Sequence, residues 1–158
     1  MKSKLITLKL GIKKNKTDGL LICLFKASTT ALIFTLNKFA AAPVIISKQN
    51  IIKSNPKYIF INSGNANACT GKEGLTNTKR ILNLLAKRLK CNSNEIIIMS
   101  TGIIGRQLPI DDIEASIIKN TFNKYSSLKD AACSVMTTDN HPKYLSKEYK
   151  IGSKKVIF

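Results

Sequence analysis

Acidic residues are scarce in this sequence. Nine Asp and Glu stand against 26 Lys and Arg in 158 residues, for a formal net charge of +17 at pH 7. Tryptophan is absent and aromatic residues make up 6% of the chain, which argues against a surface that reads bases by stacking. Arginine is also rare: 23 cations are Lys, and only Arg80, Arg88 and Arg106 are Arg. Arg is the preferred planar fork for phosphate and guanine, so the charge alone does not describe a specific nucleic-acid reader. Ile outnumbers Val by 22 to 3, and Asn occurs 14 times. Lys, Ile and Asn are what an A+T-rich coding sequence accumulates, so much of the +17 reads as drift on solvated faces.

Other absences narrow the chemistry. There is one histidine, His141, so a Ser-His-Asp or Cys-His mechanism would rest on it alone. It sits in the loop Asn140-His141-Pro142 and reads as a loop residue. The four cysteines, Cys23, Cys69, Cys91 and Cys133, form no C-x-x-C pair, which disfavours a structural zinc site. They are expected to be reduced and mostly buried, as in a cytoplasmic protein. No apolar run approaches the ~18–20 residues of a membrane helix. Residues 1–7 lack the apolar core of a secretory signal.

What is present describes one domain spanning residues 1–158, with 44% hydrophobic residues, enough for a core. Strands are expected at residues 5–10, 20–26, 31–36, 44–47, 58–62 and 95–99, with a charged turn at 13–19. The clearest helix covers about residues 75–90. Ile81, Leu82, Leu85, Ala86 and Leu89 fall on one arc, and Lys79, Arg80, Lys87 and Lys90 on the opposite one. A second helix opens at Pro109, with Asp111 and Asp112 in its first turn, where the dipole favours anions. Ile110, Ile113, Ile117 and Ile118 form its apolar stripe. A third helix covers about residues 128–136, and a hairpin around Gly152-Ser153 ends the chain. The fold class is α+β or layered α/β: a mixed sheet with helices packed on it. Residues 58–122 resemble a βαβα unit, in which ligands gather at loops leaving the carboxyl ends of strands.

Three segments are placed to carry chemistry. Ser100-Thr101-Gly102 ends a strand, and a glycine turn there can aim N–H groups at a phosphate or a developing oxyanion. Thr101 adds a hydroxyl, although the same tripeptide also makes an ordinary turn. The run Asn62 to Gly71 (NSGNANACTG) is neither a P-loop nor a dinucleotide fingerprint. Its Asn62, Asn65 and Asn67 can hold a polar ligand or bond the loop to itself. Thr137-Thr138-Asp139 follows the third helix as either an amino-acid site or a turn cluster.

Taken in order, TLNKFAAAP (35–43), NSGNANACTG (62–71), STGIIG (100–105), Leu108-Pro109, Ile113-Glu114 and Met136-Thr137-Thr138-Asp139 closely resemble the ornithine acetyltransferase family. This is the bifunctional glutamate N-acetyltransferase of arginine biosynthesis. Gly11-Ile12-Lys13 resembles the family's opening. The resemblance covers about residues 11–142. It implies a precursor that cuts itself into α and β chains, paired as a heterotetramer in the cytoplasm. The N-terminal Thr of the β chain takes acetyl from N2-acetylornithine and passes it to glutamate, with its own α-amine as base. Some members also accept acetyl-CoA; no resident cofactor, metal, nucleic acid or membrane is implied. By the resemblance, Thr101 and Gly102 are the oxyanion hole, and Thr137 or Thr138 holds the substrate amino acid. The family's cleavage run leading to Met-Ala-Thr is expected beyond residue 158. The chain is then an α portion without the nucleophile, inactive alone. The alternatives are a basic polyanion-binding domain and a noncatalytic relic.

Overall fold

The computed structural model describes residues 3–26 and 28–157. In chain order the elements are β1 (Lys4–Leu8), β2 (Gly19–Cys23), α1 (Ala42–Lys53), β3 (Tyr58–Asn65), α2 (Gly71–Leu89), β4 (Ile96–Ile103), α3 (Ile110–Lys119), α4 (Leu128–Val135), β5 (Glu148–Ile151) and β6 (Lys154–Ile157). The first four strands form one sheet in the order β1-β2-β3-β4. Its first two joints are antiparallel and the third is parallel. β5 and β6 form a separate hairpin, as the Gly152-Ser153 turn leads one to expect. The fold is α+β with a mixed sheet and packed helices.

Strand register decides which face becomes the core. Ile6 pairs with Leu21, Leu21 with Phe60, and Phe60 with Ile98. All four are at most 2% exposed, a row of large apolar side chains across the sheet. Ile46 of α1, Ile81, Leu82 and Leu85 of α2, and Ile113 and Ile117 of α3 pack in the same cluster. Full burial of one such side chain contributes roughly 1.5–3 kcal/mol, so this layer dominates the stability. α4 lies against β1, β2 and β3. Ser63, on the alternate side of β3 from Phe60, donates from Oγ to Ser134 O at 2.6 Å. Thr7 of β1 shares a hydrogen bond with Ser126 just before α4.

Two expected strands are absent. Residues 31–36 have no regular structure, and residues 44–47 lie inside α1. The buried face of α1 is Ala42, Pro43, Ile46, Ser47 and Asn50. It is helical in period, but two of its members are polar, so an apolar template does not register them. Those polar groups close the open edge of the sheet. Ser47 Oγ donates to Ile98 O at 2.6 Å and accepts from Ile98 N at 3.0 Å. Asn50 Nδ2 donates to Ile96 O at 2.9 Å. A helix thereby takes the place of a fifth strand and blunts the edge.

Other boundaries move by a few residues. β1 ends at Leu8, and β3 and β4 run on into the expected loops as far as Asn65 and Ile103. α2 begins at Gly71, a turn earlier than the Leu75 expected from apolar spacing. Gly74, in that first turn, has no room for a side chain: a Cβ there would fall 1.9 Å from Thr70 Oγ1. The basic face of α2 is not wholly solvated. Arg80 forks onto Glu114 of α3 at 3.0 and 2.9 Å, and Arg88 donates to Asn120 O at 2.6 Å. No helix among the described residues is long and apolar enough to cross a membrane.

Candidate functional site

The parallel pairing of β3 and β4 sets two glycines face to face. Ser63 lies opposite Thr101, and Gly64 opposite Gly102, with register irregularities around Asn65. Gly102 has φ +132° and Gly64 has φ +100°, a region that side chains rarely tolerate. A Cβ on Gly102 would fall 2.3 Å from the Gly64 carbonyl carbon and 2.5 Å from Asn65 N. The backbones touch because neither residue has a side chain. Gly102 is exposed and Thr101 half-buried. Among the described residues the Thr101 hydroxyl has no hydrogen-bond partner. A free hydroxyl beside an exposed glycine at a strand end suits charge stabilisation at an acyl carbon.

The asparagines of residues 62–71 are committed to the loop. Asn62 Nδ2 donates to Asn65 O at 2.8 Å, and its Oδ1 accepts from Ser100 Oγ at 2.5 Å. Asn65 Nδ2 donates to the carbonyls of Arg106 and Gln107, and its Oδ1 accepts from Asn67 N at 2.7 Å. Asn67 Nδ2 donates to Gly74 O and Thr78 Oγ1, and its Oδ1 accepts from Thr70 Oγ1. All three are buried. Of the two roles open to them, self-bonding is the one the structure has. Their product is a rigid wall that carries Ser100, the residue before Thr101.

Thr137 and Thr138 follow the C-terminus of α4 and are exposed. Thr137 lines a cavity of about 530 Å³ with Lys9, Lys13, Asn15, Cys133 and Asp139; Thr101 and Gly102 are not among its walls. The Lys143 ammonium, at 2.6 Å, holds the Asp139 carboxyl below its ordinary value. The exposed His141 lies in the same segment. The structure thus brings Thr101 and Gly102 together with Ser63 and Gly64, and joins Thr137 to them only through intervening groups.

Those groups include two residues that sequence reasoning passed over. Asp18, within the expected charged turn, is fully buried. Its carboxylate accepts from Leu10 N at 2.5 Å, Ile12 N at 2.6 Å and Lys13 N at 2.8 Å, and its own carbonyl accepts from Ser63 N at 2.8 Å. Lys13 Nζ donates to Met136 O at 3.0 Å. The only local signal was an acid in a run of lysines, since the partners lie far along the chain. The cysteines depart from expectation as well. Cys69 and Cys133 are exposed, and Cys23 and Cys91 half-buried. Cys69 sits at φ +57° in the turn before α2, and Cys133 on the outer side of α4. Burial pushes the Cys23 and Cys91 thiols up, away from the reactive thiolate.

The model of the ArgJ family matches residues 4–158. The chain is 44% identical over 149 residues to the arginine biosynthesis bifunctional protein ArgJ 2 of Clostridium acetobutylicum, across 93% of this chain and 38% of that one. It is 37% identical over 155 residues to the ArgJ protein of Neisseria meningitidis serogroup A, across 97% and 37%. It therefore spans under two-fifths of the length of these curated relatives. Among solved structures, the ArgJ protein of Bacillus halodurans superposes with a TM-score of 0.82 at 26% identity, covering 99% of this chain and 83% of that one. The ornithine acetyltransferase of Mycobacterium tuberculosis, solved with ornithine, superposes at 0.79 and 29% identity, covering 92% and 79%. The order of motifs from Gly11 to Asp139, the mixed sheet that presents them and these matches agree: the chain belongs to the ArgJ family, the ornithine acetyltransferases.

Proposed function

We propose that this chain supplies the oxyanion-stabilising part of an acetyltransferase of arginine biosynthesis, which moves acetyl from N2-acetylornithine to glutamate. The observation that carries the reading is the Thr101–Gly102 pair near the end of β4, with a free hydroxyl and an exposed glycine at which a side chain would be strained. In this reading a threonine hydroxyl attacks the acetyl carbonyl, and its proton passes to that threonine's own α-amine. The carbonyl oxygen becomes an oxyanion, to which Thr101 Oγ and the Gly102 N–H donate. Collapse returns the proton to the leaving amine and releases ornithine. The amine of glutamate then attacks the acetyl-threonine through the same hole and gives a proton to the α-amine; collapse breaks the ester bond, the threonine oxygen takes that proton back, and N-acetylglutamate leaves. Losing one such donor typically slows the chemical step by ~10²–10³. Thr137 or Thr138 holds the amino-acid end of the substrate.

The sequence contains no Met-Ala-Thr run, the segment that carries the nucleophile in this reading. We assign it to a β chain, bound as an αβ pair and doubled into a heterotetramer in the cytoplasm. The apolar surface supports such a partner: Ile33, Leu36 and Phe39 are 102%, 99% and 82% exposed, and Met99, Ile103 and Ile104 are exposed along β4 and just after it. Of these, Ile33 and Met99 line one cavity together, and exposed apolar surface of this kind marks an interaction site when contiguous. The same acetyl-enzyme is reachable from acetyl-CoA, and a parallel assay with that donor decides whether it is used.

The test is acetyl transfer from N2-acetylornithine to glutamate, followed by mass spectrometry of the products. The 158-residue chain alone should give none, and the chain assembled with a β chain should turn over. Turnover by the chain alone, or none by the assembly, contradicts the reading.

A further inference from the structure

One side chain spans the two halves of the candidate site. The turn at residues 10–13 is pinned from beneath by the buried Asp18 carboxylate, which accepts the amides of Leu10, Ile12 and Lys13. Pinned in this way, Lys13 lies across Gly64. A Cβ on Gly64 would fall 2.8 Å from Lys13 Cγ and 2.9 Å from Ile12 Cγ2. Gly64 is the residue whose backbone Gly102 approaches. At its far end Lys13 Nζ donates to Met136 O at 3.0 Å and to Ser134 O at 3.4 Å. These are carbonyls at the C-terminal end of α4, where a cation is favoured by the helix dipole and by unpaired acceptors. Ser63 Oγ donates to Ser134 O as well, at 2.6 Å. Thr137 follows immediately.

We propose that Lys13 is a positioning residue, whose stem on Gly64 and ammonium on the Ser134 and Met136 carbonyls fix the Thr137–Thr138 segment relative to Thr101 and Gly102 on β4. The inference rests on the acetyltransferase reading for its kinetic arm only. Its physical content is a distance held between substrate-binding threonines and an oxyanion hole. Misplacing a binding group weakens capture of the amino acid, while the oxyanion donors on β4 stay in place. Burial lowers the ammonium's affinity for its proton, against the pull of Asp18. Held in a partly dry site, the charge strengthens the bond to the Met136 carbonyl, with the Ser134 carbonyl a longer second acceptor.

The experiment uses the full α/β protein. Lys13→Met keeps the stem that lies on Gly64 and removes the ammonium; Lys13→Arg keeps a charge and donors. Lys13→Met should raise KM for both N2-acetylornithine and glutamate about tenfold, with kcat changed less than about threefold. Lys13→Arg should bring KM back to within about threefold of the parent. Hydrogen exchange in the peptide covering residues 134–140 should quicken in Lys13→Met alone. Unchanged KM and unchanged exchange in Lys13→Met overturn the proposal, as does a fall in kcat at constant KM. If Lys13→Met does not fold, Lys13→Arg decides: a parent-like KM and exchange support the proposal, and loss of both overturns it. If the parent itself transfers no acetyl, the acetyltransferase reading has failed, and the exchange measurement still decides the role of Lys13.

Discussion

Gly102 carries the strongest constraint of any single residue. Its φ of +132° and the 2.3 Å approach of a built Cβ to the Gly64 backbone act together. Overpacking costs about 1–3 kcal/mol, and an unfavourable positive φ adds about 1–2. Gly102→Ala should therefore lower stability by roughly 2–5 kcal/mol, read as an earlier midpoint in urea unfolding. An unshifted midpoint means that the two strands part at little cost and that the close approach is unimportant. At this scale the sequence was partly legible. Ser100-Thr101-Gly102 ends a run of apolar residues, so the end of a buried strand is visible in the spelling, although β4 runs on through Gly102 to Ile103 where a turn is expected. Asp18 and Lys13 were not visible. A lysine-rich turn reads as solvated unless one knows that Ser63, Ser134 and Met136 come to meet it.

Elements were legible wherever their buried faces are apolar. α2 and α3 show their stripes, and β2 is the apolar run expected. α1 was hidden because Ser47 and Asn50 face inward to serve the backbone of β4. Ser47→Ala leaves both the N–H and the carbonyl of Ile98 without that partner. A buried group left unsatisfied costs about 1–3 kcal/mol. The variant should lose stability in that range, with faster hydrogen exchange at the Ile98 amide. Unaltered exchange there removes α1 from the role of edge cover. The short 3-10 turn at Ser93–Glu95, which leads into β4, carries a second prediction. The Lys57 ammonium at 2.6 Å, with help from the Asn92 N–H, holds the Glu95 carboxyl below its ordinary 4.5. A depressed carboxyl contributes stability above its unfolded value and loses it as pH falls through the folded one. Thermal melts from about pH 6 to about pH 3 should show a smaller acid loss for Glu95→Gln than for the parent. Equal losses show that the pair does not contribute.

As a whole, the described residues form a sheet covered by helices, with large apolar side chains left in water at several places. The edge at Ile96–Ile98 is closed by α1, yet Ile33, Leu36 and Phe39 stand almost fully in water nearby in the chain. Residues 31–36 are a short, mostly apolar run of the kind that reads as a strand, but they find no ladder here. Local pattern cannot tell whether a neighbouring strand exists. In the account proposed above, this chain presents oxyanion donors to a nucleophile carried by other polypeptide. The most direct test is the steady-state rate of acetyl transfer by the full α/β protein bearing Thr101→Ala, with assembly confirmed by sedimentation. The account predicts an intact assembly whose kcat is at least about tenfold lower. An intact assembly with parent-like kcat contradicts it.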